Sequence, residues 1–247
     1  MANDWFSFKR FTVRQDVTAM KVGTDGVLIG AWATIDEGCG RVLDVGAGTG
    51  LIALMAAQRT ESWGAEIVGV ELDEAAAGQA ADNCKASPWG NRITIINSDV
   101  ADFATKTEQG YDAIVSNPPF FVNSLESPSQ MRNQARHTVT LTYDGLLQSV
   151  KSLLNDGGAF SVVLPYESRM DFVCRAMERG LSLERETVVY AKRNGVPKRV
   201  LLGFRSGTLL CGYMRDELVI HEGAGYTEEY KRLTGDFYSD KLLGGKE

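Results

Sequence analysis

Arg41-Val42-Leu43-Asp44-Val45-Gly46-Ala47-Gly48-Thr49-Gly50 joins a short apolar run to a glycine-rich turn, and Leu51, Leu54, Met55 and Gln58 continue it at helical spacing. The stretch reads as a buried strand, a tight loop and the start of a helix. Glycines let backbone approach a ligand closely, and the free N–H groups of a helix start favour an anionic group. Gly46, Gly48 and Gly50 alternate, which departs from the G-x-G-x-x-G dinucleotide fingerprint and disfavours a nicotinamide oxidoreductase.

Downstream the same kind of unit recurs. Glu66-Ile67-Val68-Gly69-Val70 reads as a second strand ending at Glu71-Leu72-Asp73, followed by an alanine-rich helix from Glu74 to about Lys85 that Asp73 caps. A carboxylate at the end of a second strand is where nucleotide-binding units grip ribose hydroxyls, and Glu71 stands there. Ile93-Thr94-Ile95-Ile96 is a third strand. Just past it Asp99 has two readings. It accepts from an adenine amino group while Val100 covers the ring, or it is an ordinary turn or N-cap residue before Ala101-Asp102-Phe103.

The fourth strand, Tyr111-Asp112-Ala113-Ile114-Val115, runs into Ser116-Asn117-Pro118-Pro119-Phe120-Phe121. Consecutive prolines supply no ladder N–H groups and hold the preceding residue extended, so the strand ends in a stiff corner. Asn117 offers a side-chain carbonyl, Pro118 a backbone carbonyl and Phe120 a flat apolar face. Together they fit a planar substrate bearing an NH2 group. The plainer reading is a strand stop with two phenylalanines in the core, and three other sites on the same predicted sheet edge weigh against it. Residues 122–138 then form a polar loop of a length that suits a substrate lid, carrying Arg132, Arg136 and His137, the last read as structural.

The remainder alternates in the same way. Leu146, Leu147, Val150, Leu153 and Leu154 share a helical face stopped by Asn155-Asp156-Gly157-Gly158, residues 159–164 form a fifth strand, and Phe172, Val173, Ala176 and Met177 mark another amphipathic helix. Residues 181–190 and 200–204 then read as a hairpin. The order predicts one α/β domain over 1–247, with a doubly wound, mostly parallel seven-stranded sheet and an antiparallel C-terminal hairpin at its far edge. A lead-in, 1–40, holds short extended pieces around Phe6, Phe8, Phe11 and Val13, then a helix from Val27 that Asp25 caps. An extension, 207–247, holds a strand at 218–220 and a terminal helix from Thr227.

Composition sets the outer limits. Hydrophobic residues make up 44%, enough for a sizeable core, and four cysteines with two histidines give no zinc-ligand spacing, so reduced core thiols and no metal are expected. With neither a basic-then-apolar leader nor a membrane-length apolar run, the expected location is the cytoplasm. A net charge of −6 argues against a protein that coats nucleic acid non-specifically. The charge is segregated, however. Lys192, Arg193, Lys198, Arg199 and Arg205 share a stretch without acids, whereas Asp216, Glu217, Glu222, Glu228 and Glu229 gather near the end, so one basic face on an acidic protein is open alongside ordinary solvated charges.

The four sites after successive strands, namely Gly46 to Gly50, Glu71, Asp99 and Asn117 to Phe120, jointly resemble the Rossmann-like methyltransferases that use S-adenosylmethionine, and the Asn-Pro-Pro-Phe corner resembles the subset that methylates amino nitrogens. Lys21-Val22-Gly23-Thr24-Asp25-Gly26-Val27-Leu28-Ile29-Gly30-Ala31-Trp32, Tyr226-Thr227-Glu228-Glu229-Tyr230-Lys231 and Asp236-Phe237-Tyr238 extend the resemblance to the bacterial valine tRNA adenine methyltransferases. The resemblance implies methylation of the exocyclic nitrogen of adenine 37 beside the anticodon, with the anticodon stem-loop of tRNA as partner. It implies catalytic roles for Asn117, Pro118, Pro119 and Phe120. Cofactor contacts would come from Lys21, Thr24, Asp44, Gly46, Gly48, Gly50, Glu71, Asp99 and Val100, and RNA contacts from Arg132, Arg136, Lys192, Arg193, Lys198 and Arg199. Competing expectations are methylation of a glutamine amide in protein, which presents the same planar NH2, and a non-catalytic RNA-binding module on this fold.

Overall fold

The apolar runs form a single large sheet because their side chains are buried on both faces, as parallel strands require. A computed structural model describes residues 3–18, 20–119, 141–207 and 212–244. Its strands are β1 (Trp5–Ser7), β2 (Thr12–Arg14), β3 (Arg41–Val45), β4 (Glu66–Glu71), β5 (Ile93–Asn97), β6 (Tyr111–Ser116), β7 (Leu154–Pro165), β8 (Leu181–Lys192), β9 (Pro197–Ser206), β10 (Met214–Glu222) and β11 (Gly225–Tyr226). The helices are α1 (Thr24–Trp32), α2 (Leu51–Arg59), α3 (Glu74–Lys85), α4 (Val100–Lys106), α5 (Tyr143–Leu153), α6 (Arg169–Glu178) and α7 (Glu228–Thr234).

The sheet has the order β11-β10-β8-β9-β7-β6-β3-β4-β5. Strands β3 to β7 are mutually parallel where they pair, and β9 runs antiparallel between β7 and β8. All seven expected strands are present, but the expected edge is not. β10 adds parallel to β8 and β11 turns back on β10, so the β8–β9 hairpin lies inside a nine-stranded sheet. The buried Leu218 and Ile220 of β10, at alternate positions, give that strand a face to bury.

One core layer joins α1, α2 and the chain ends to the sheet, and the other joins α4, α5 and α6 to its opposite face. Both ends pack into the first layer. Phe8 stacks on Phe11 and on Tyr238, and Tyr226 stacks on a buried Tyr230. Lys9 N–H donates to the Phe237 carbonyl, and Gln58 of α2 donates to that of Asp236. These contacts give the Tyr226–Tyr238 region a reason to carry aromatics.

Local expectations divide. Asp73 caps α3 by accepting from Ala76 N–H, and Thr227 caps α7. Asp25 does not cap α1. Gly23 occupies the N-cap and Asp25 sits inside the first turn. α5 passes directly into β7 at Leu154, so Asn155 to Gly158 open a strand. Met177 and Cys174 on α6 are exposed, against the expectation of a buried methionine and core thiols, whereas Cys39 and Cys84 are buried. No described helix is long and apolar enough to cross a membrane.

Candidate active site

Strand order reverses at β3, with β4 and β5 on one side and β6 and β7 on the other. The crevice beyond the carboxyl ends of β3 and β6 is therefore the topological switch point, where open α/β sheets bind ligands. Val45 and Ser116 are paired neighbours at that edge, and Ser116 Oγ donates to the Val45 carbonyl at 2.9 Å. The glycine loop leaves one strand and Asn117 leaves the other.

The loop is shaped by its glycines. Gly46, Gly48 and Gly50 have φ of 77°, 54° and 81°. Gly50 is the most constrained, because a Cβ there would stand 3.3 Å from the Ala80 carbonyl oxygen and 3.2 Å from Cys84 Sγ on α3. Glu71 ties the loop down. Its Oε2 accepts from Gly48 N–H at 2.8 Å and its Oε1 from Asp73 N–H at 2.9 Å.

Asp44 lies buried at the base of the loop, 1% exposed. Its Oδ2 accepts from Ala53 N–H of α2 at 3.1 Å, and its Oδ1 has no hydrogen-bond partner among the described residues. Burial pushes the carboxyl up to about 7; the Ala53 N–H opposes that and the nearby charge of Glu71 adds to it. A folded-state value above the unfolded one means that the native state holds this proton more tightly. Stability from this group is then full below about pH 4, falls as pH rises to about 7, and is flat beyond. The displacement is worth on the order of 4 kcal/mol. Asp44→Asn leaves one new N–H without an acceptor, at a cost of about 1–3 kcal/mol. Urea unfolding should therefore find Asp44→Asn more stable than wild type at pH 8 and near parity at pH 4.5. A pH-independent difference would remove the buried charge as the cause.

The cleft, about 400 Å³, has residues 20–26 as its front wall, Gly46 to Thr49 with Leu51 and Ile52 as its floor, and Asn117 and Arg199 at the far side. Two polar residues on the buried side of α3 hold the segment 14–17 that leads into the front wall, and Gln15 of that segment holds the wall itself. Asn83 accepts from Arg14 N–H and donates to the carbonyls of Arg14 and Thr49, all at 2.9 Å, and Gln79 donates to Asp16 and accepts from Val17 N–H. Gln15 accepts from Val22 N–H and donates to the Asn3 carbonyl. These three residues were missed in the sequence; the available signal was a pair of amides four apart in an otherwise alanine-rich helix.

Asn117 Oδ1 is buried beside the first turn of α1 and has no hydrogen-bond partner among the described residues. Lys21, Thr24, Gly46, Gly48, Asn117 and Arg199 thus share one cleft, while Glu71, Asp99 and Val100 follow along the same edge toward β5. Asp99 is the N-cap of α4, its Oδ1 accepting from Ala101 and Asp102 N–H, and Val100 is buried. The capping role expected as one alternative is therefore present. Pro118 is buried and Pro119 exposed. Phe120, Arg132, Arg136 and His137 lie outside the described residues. Lys192 and Lys198 are exposed, Arg193 pairs with Glu222 at 3.0 Å, and Arg199 pairs with Asp25 at 2.7 Å in the cleft wall, apart from the exposed basic face expected for it. Among the described residues, no group of three or more His, Cys, Asp or Glu is placed to hold a metal ion.

A switch-point cleft over a glycine loop, with an amide at its far side, defines a class I methyltransferase, and the family model described as methyltransferase small domain matches residues 27–185. A predicted O-methyltransferase from Agrobacterium tumefaciens shares the fold, with a TM-score of 0.67, 18% identity and coverage of 86% of this chain and 96% of that one. A Thermus thermophilus 16S rRNA N2 G1207 methyltransferase, solved with AdoMet and guanosine, superposes with a TM-score of 0.53 at 23% identity, covering 83% of this chain and 51% of that one. The chain belongs to the tRNA1(Val) (adenine(37)-N6)-methyltransferase family. A relative of that name from Bacteroides thetaiotaomicron is 46% identical over 96% of this chain and 98% of its own length, and one from Klebsiella pneumoniae is 43% identical over 94% of both.

Proposed function

We propose that this protein transfers a methyl group from S-adenosylmethionine to the exocyclic N6 of adenine 37 in tRNA1(Val), a reading that places it in the cytoplasm with the tRNA pool. The observation that carries the reaction type is the buried Asn117 Oδ1, an acceptor with no partner among the described residues, beside a glycine-loop cleft. The nucleotide and the tRNA come from the relatives' names. The residues present fit the cofactor: a loop of three positive-φ glycines leads into the N-terminus of α2, and carboxylates stand at Glu71 and Asp44.

When bound, S-adenosylmethionine supplies an electrophilic methyl group on a sulfonium. Lys21, Thr24, Gly46, Gly48 and Gly50 would hold its amino-acid end over Asp44, Glu71 its ribose, and Asp99 with Val100 its adenine. An adenine NH2 is a weak nucleophile because its lone pair is delocalised into the ring. Asn117 Oδ1 and the Pro118 carbonyl accept its two hydrogens, turn the lone pair out of the ring plane, and favour the positive charge that develops on nitrogen. Pro119 keeps the corner stiff, and Phe120 stacks on the base, a contact worth about 1–3 kcal/mol where measured in other proteins. An amide has no basic site at neutral pH, so Asn117 positions N6 and water takes the proton afterwards.

RNA contact falls to Arg132, Arg136 and the β8–β9 hairpin. Arg199 pairs with Pro165 at the end of β7, and Lys192 with His221 at the end of β10, so the hairpin tip projects from the same sheet edge as the cleft. Lys192→Glu with Lys198→Glu should raise KM for tRNA about tenfold near 0.1 M salt, fading at higher salt, with kcat unchanged. A KM indifferent to both substitutions and salt would make this a solvated face. The decisive assay for the function is transfer of labelled methyl groups to total tRNA against cell protein, followed by nucleoside analysis. N6-methyladenosine at position 37 is expected; label in protein glutamine, or in neither fraction, would overturn the reading.

A further inference from the structure

Asn117 has an unusual mechanical position. Its carbonyl oxygen is buried and has no partner among the described residues, so no hydrogen bond from them fixes the amide plane at that atom. What stands against it is the first turn of α1, where a Cβ on Gly26 would lie 3.8 Å from Asn117 Nδ2 and 3.1 Å from Leu51 Cδ2. That turn has no side-chain cap at its N-cap, Gly23, and its first backbone bond, Val27 N–H to the Gly23 carbonyl, is long at 3.3 Å. A helix start of this kind frays unless something outside the helix holds it.

The hold comes from across the cleft. Arg199 Nε donates to Asp25 Oδ2 at 2.7 Å, and the Arg199 Nη1 group also donates to the Lys198 carbonyl. Both side chains are only partly exposed, at 32% and 25%, so solvent screens the pair less than it would at the surface. Arg199 is itself fixed in the sheet, paired with Pro165 of β7 and Val189 of β8. The ion pair therefore runs from the sheet edge to the uncapped helix turn that backs Asn117.

We infer that Asp25 and Arg199 are positioning residues whose ion pair clamps the first turn of α1 against Asn117 and so fixes the amide plane that receives the acceptor NH2. This rests on the methyl-transfer reading for its kinetic consequence and on geometry alone for its structural one. A guanidinium suits the task better than an ammonium, because its planar donors engage Asp25 and Lys198 together.

The test uses the full chain with selective 15N labelling of asparagine side chains, the Asn117 signal being identified by its absence in Asn117→Gln. In Asp25→Asn and Arg199→Gln the Asn117 amide pair should move toward the position of a solvent-averaged amide, while those of Asn83 and Asn155 stay in place. In methyl transfer to tRNA, each substitution should lower kcat about 10- to 100-fold; because Thr24 begins the same turn, KM for S-adenosylmethionine should rise as well, but by less than kcat falls. The double substitution should be no worse than either single one, and Arg199→Lys should recover part of the loss. An unmoved Asn117 amide, additive losses, or a fall in cofactor affinity matching the fall in rate would overturn the clamp. Wild-type protein inactive on tRNA would instead overturn the functional reading, and the amide signals would still decide the clamp.

Discussion

Asn117→Ala should lower kcat for tRNA methylation about 10²- to 10³-fold while S-adenosylmethionine binds within threefold of wild type. The magnitude is that of removing one preorganised dipole aimed at developing charge. The selectivity for rate follows from place. The floor of the cleft, from Gly46 to Ile52, is built by β3 and α2, whereas Asn117 enters from β6 on the far side. A second substitution separates chemistry from stability. Asn117→Leu keeps the bulk and removes a buried acceptor that has no partner among the described residues, so it should fold at least as stably as wild type in urea and be as inactive as the alanine form. Calorimetric loss of cofactor affinity in proportion to the loss of rate would reassign Asn117 to the cofactor.

The strands that build this site were legible because each is a short apolar run buried on both faces, and Asp73 was legible as a cap because an N-cap is a local device. Other features depend on partners far away in the chain. Asp25 reads as a cap beside Val27 and Leu28, yet its partner is Arg199, 174 residues away. Arg199 in turn reads as one member of a basic run until the β7–β9 register brings it to the cleft. The strand at 218–220 was visible from its apolar residues, but its choice of β8 as a parallel neighbour was not, since antiparallel pairing would satisfy the same alternation. The front wall was the least legible part. Asn83 and Gln79 carry nothing in their local sequence that names Arg14, Asp16 or Thr49 as partners.

Glu71→Ala should weaken S-adenosylmethionine binding about 10- to 100-fold by calorimetry, for two reasons that a paired substitution separates. The carboxylate was expected to hold ribose, and it also accepts from Gly48 N–H and Asp73 N–H, so its removal releases the loop as well as a ligand contact. Hydrogen bonds to a charged acceptor are worth about 1.5–3 kcal/mol each, enough for the lower part of that range from loop release alone. Glu71→Gln keeps one carbonyl acceptor and should lie between alanine and wild type. The charge of Glu71 also helps to raise the carboxyl of Asp44, so both substitutions should lower the pH at which the Asp44-linked fall in stability levels off, and shrink that fall, while its onset near pH 4 stays in place. The loop, its anchor and the acid at its base are thereby one electrostatic unit. Unchanged affinity in Glu71→Ala, with the pH dependence of stability unmoved, would separate Glu71 from both the cofactor and Asp44.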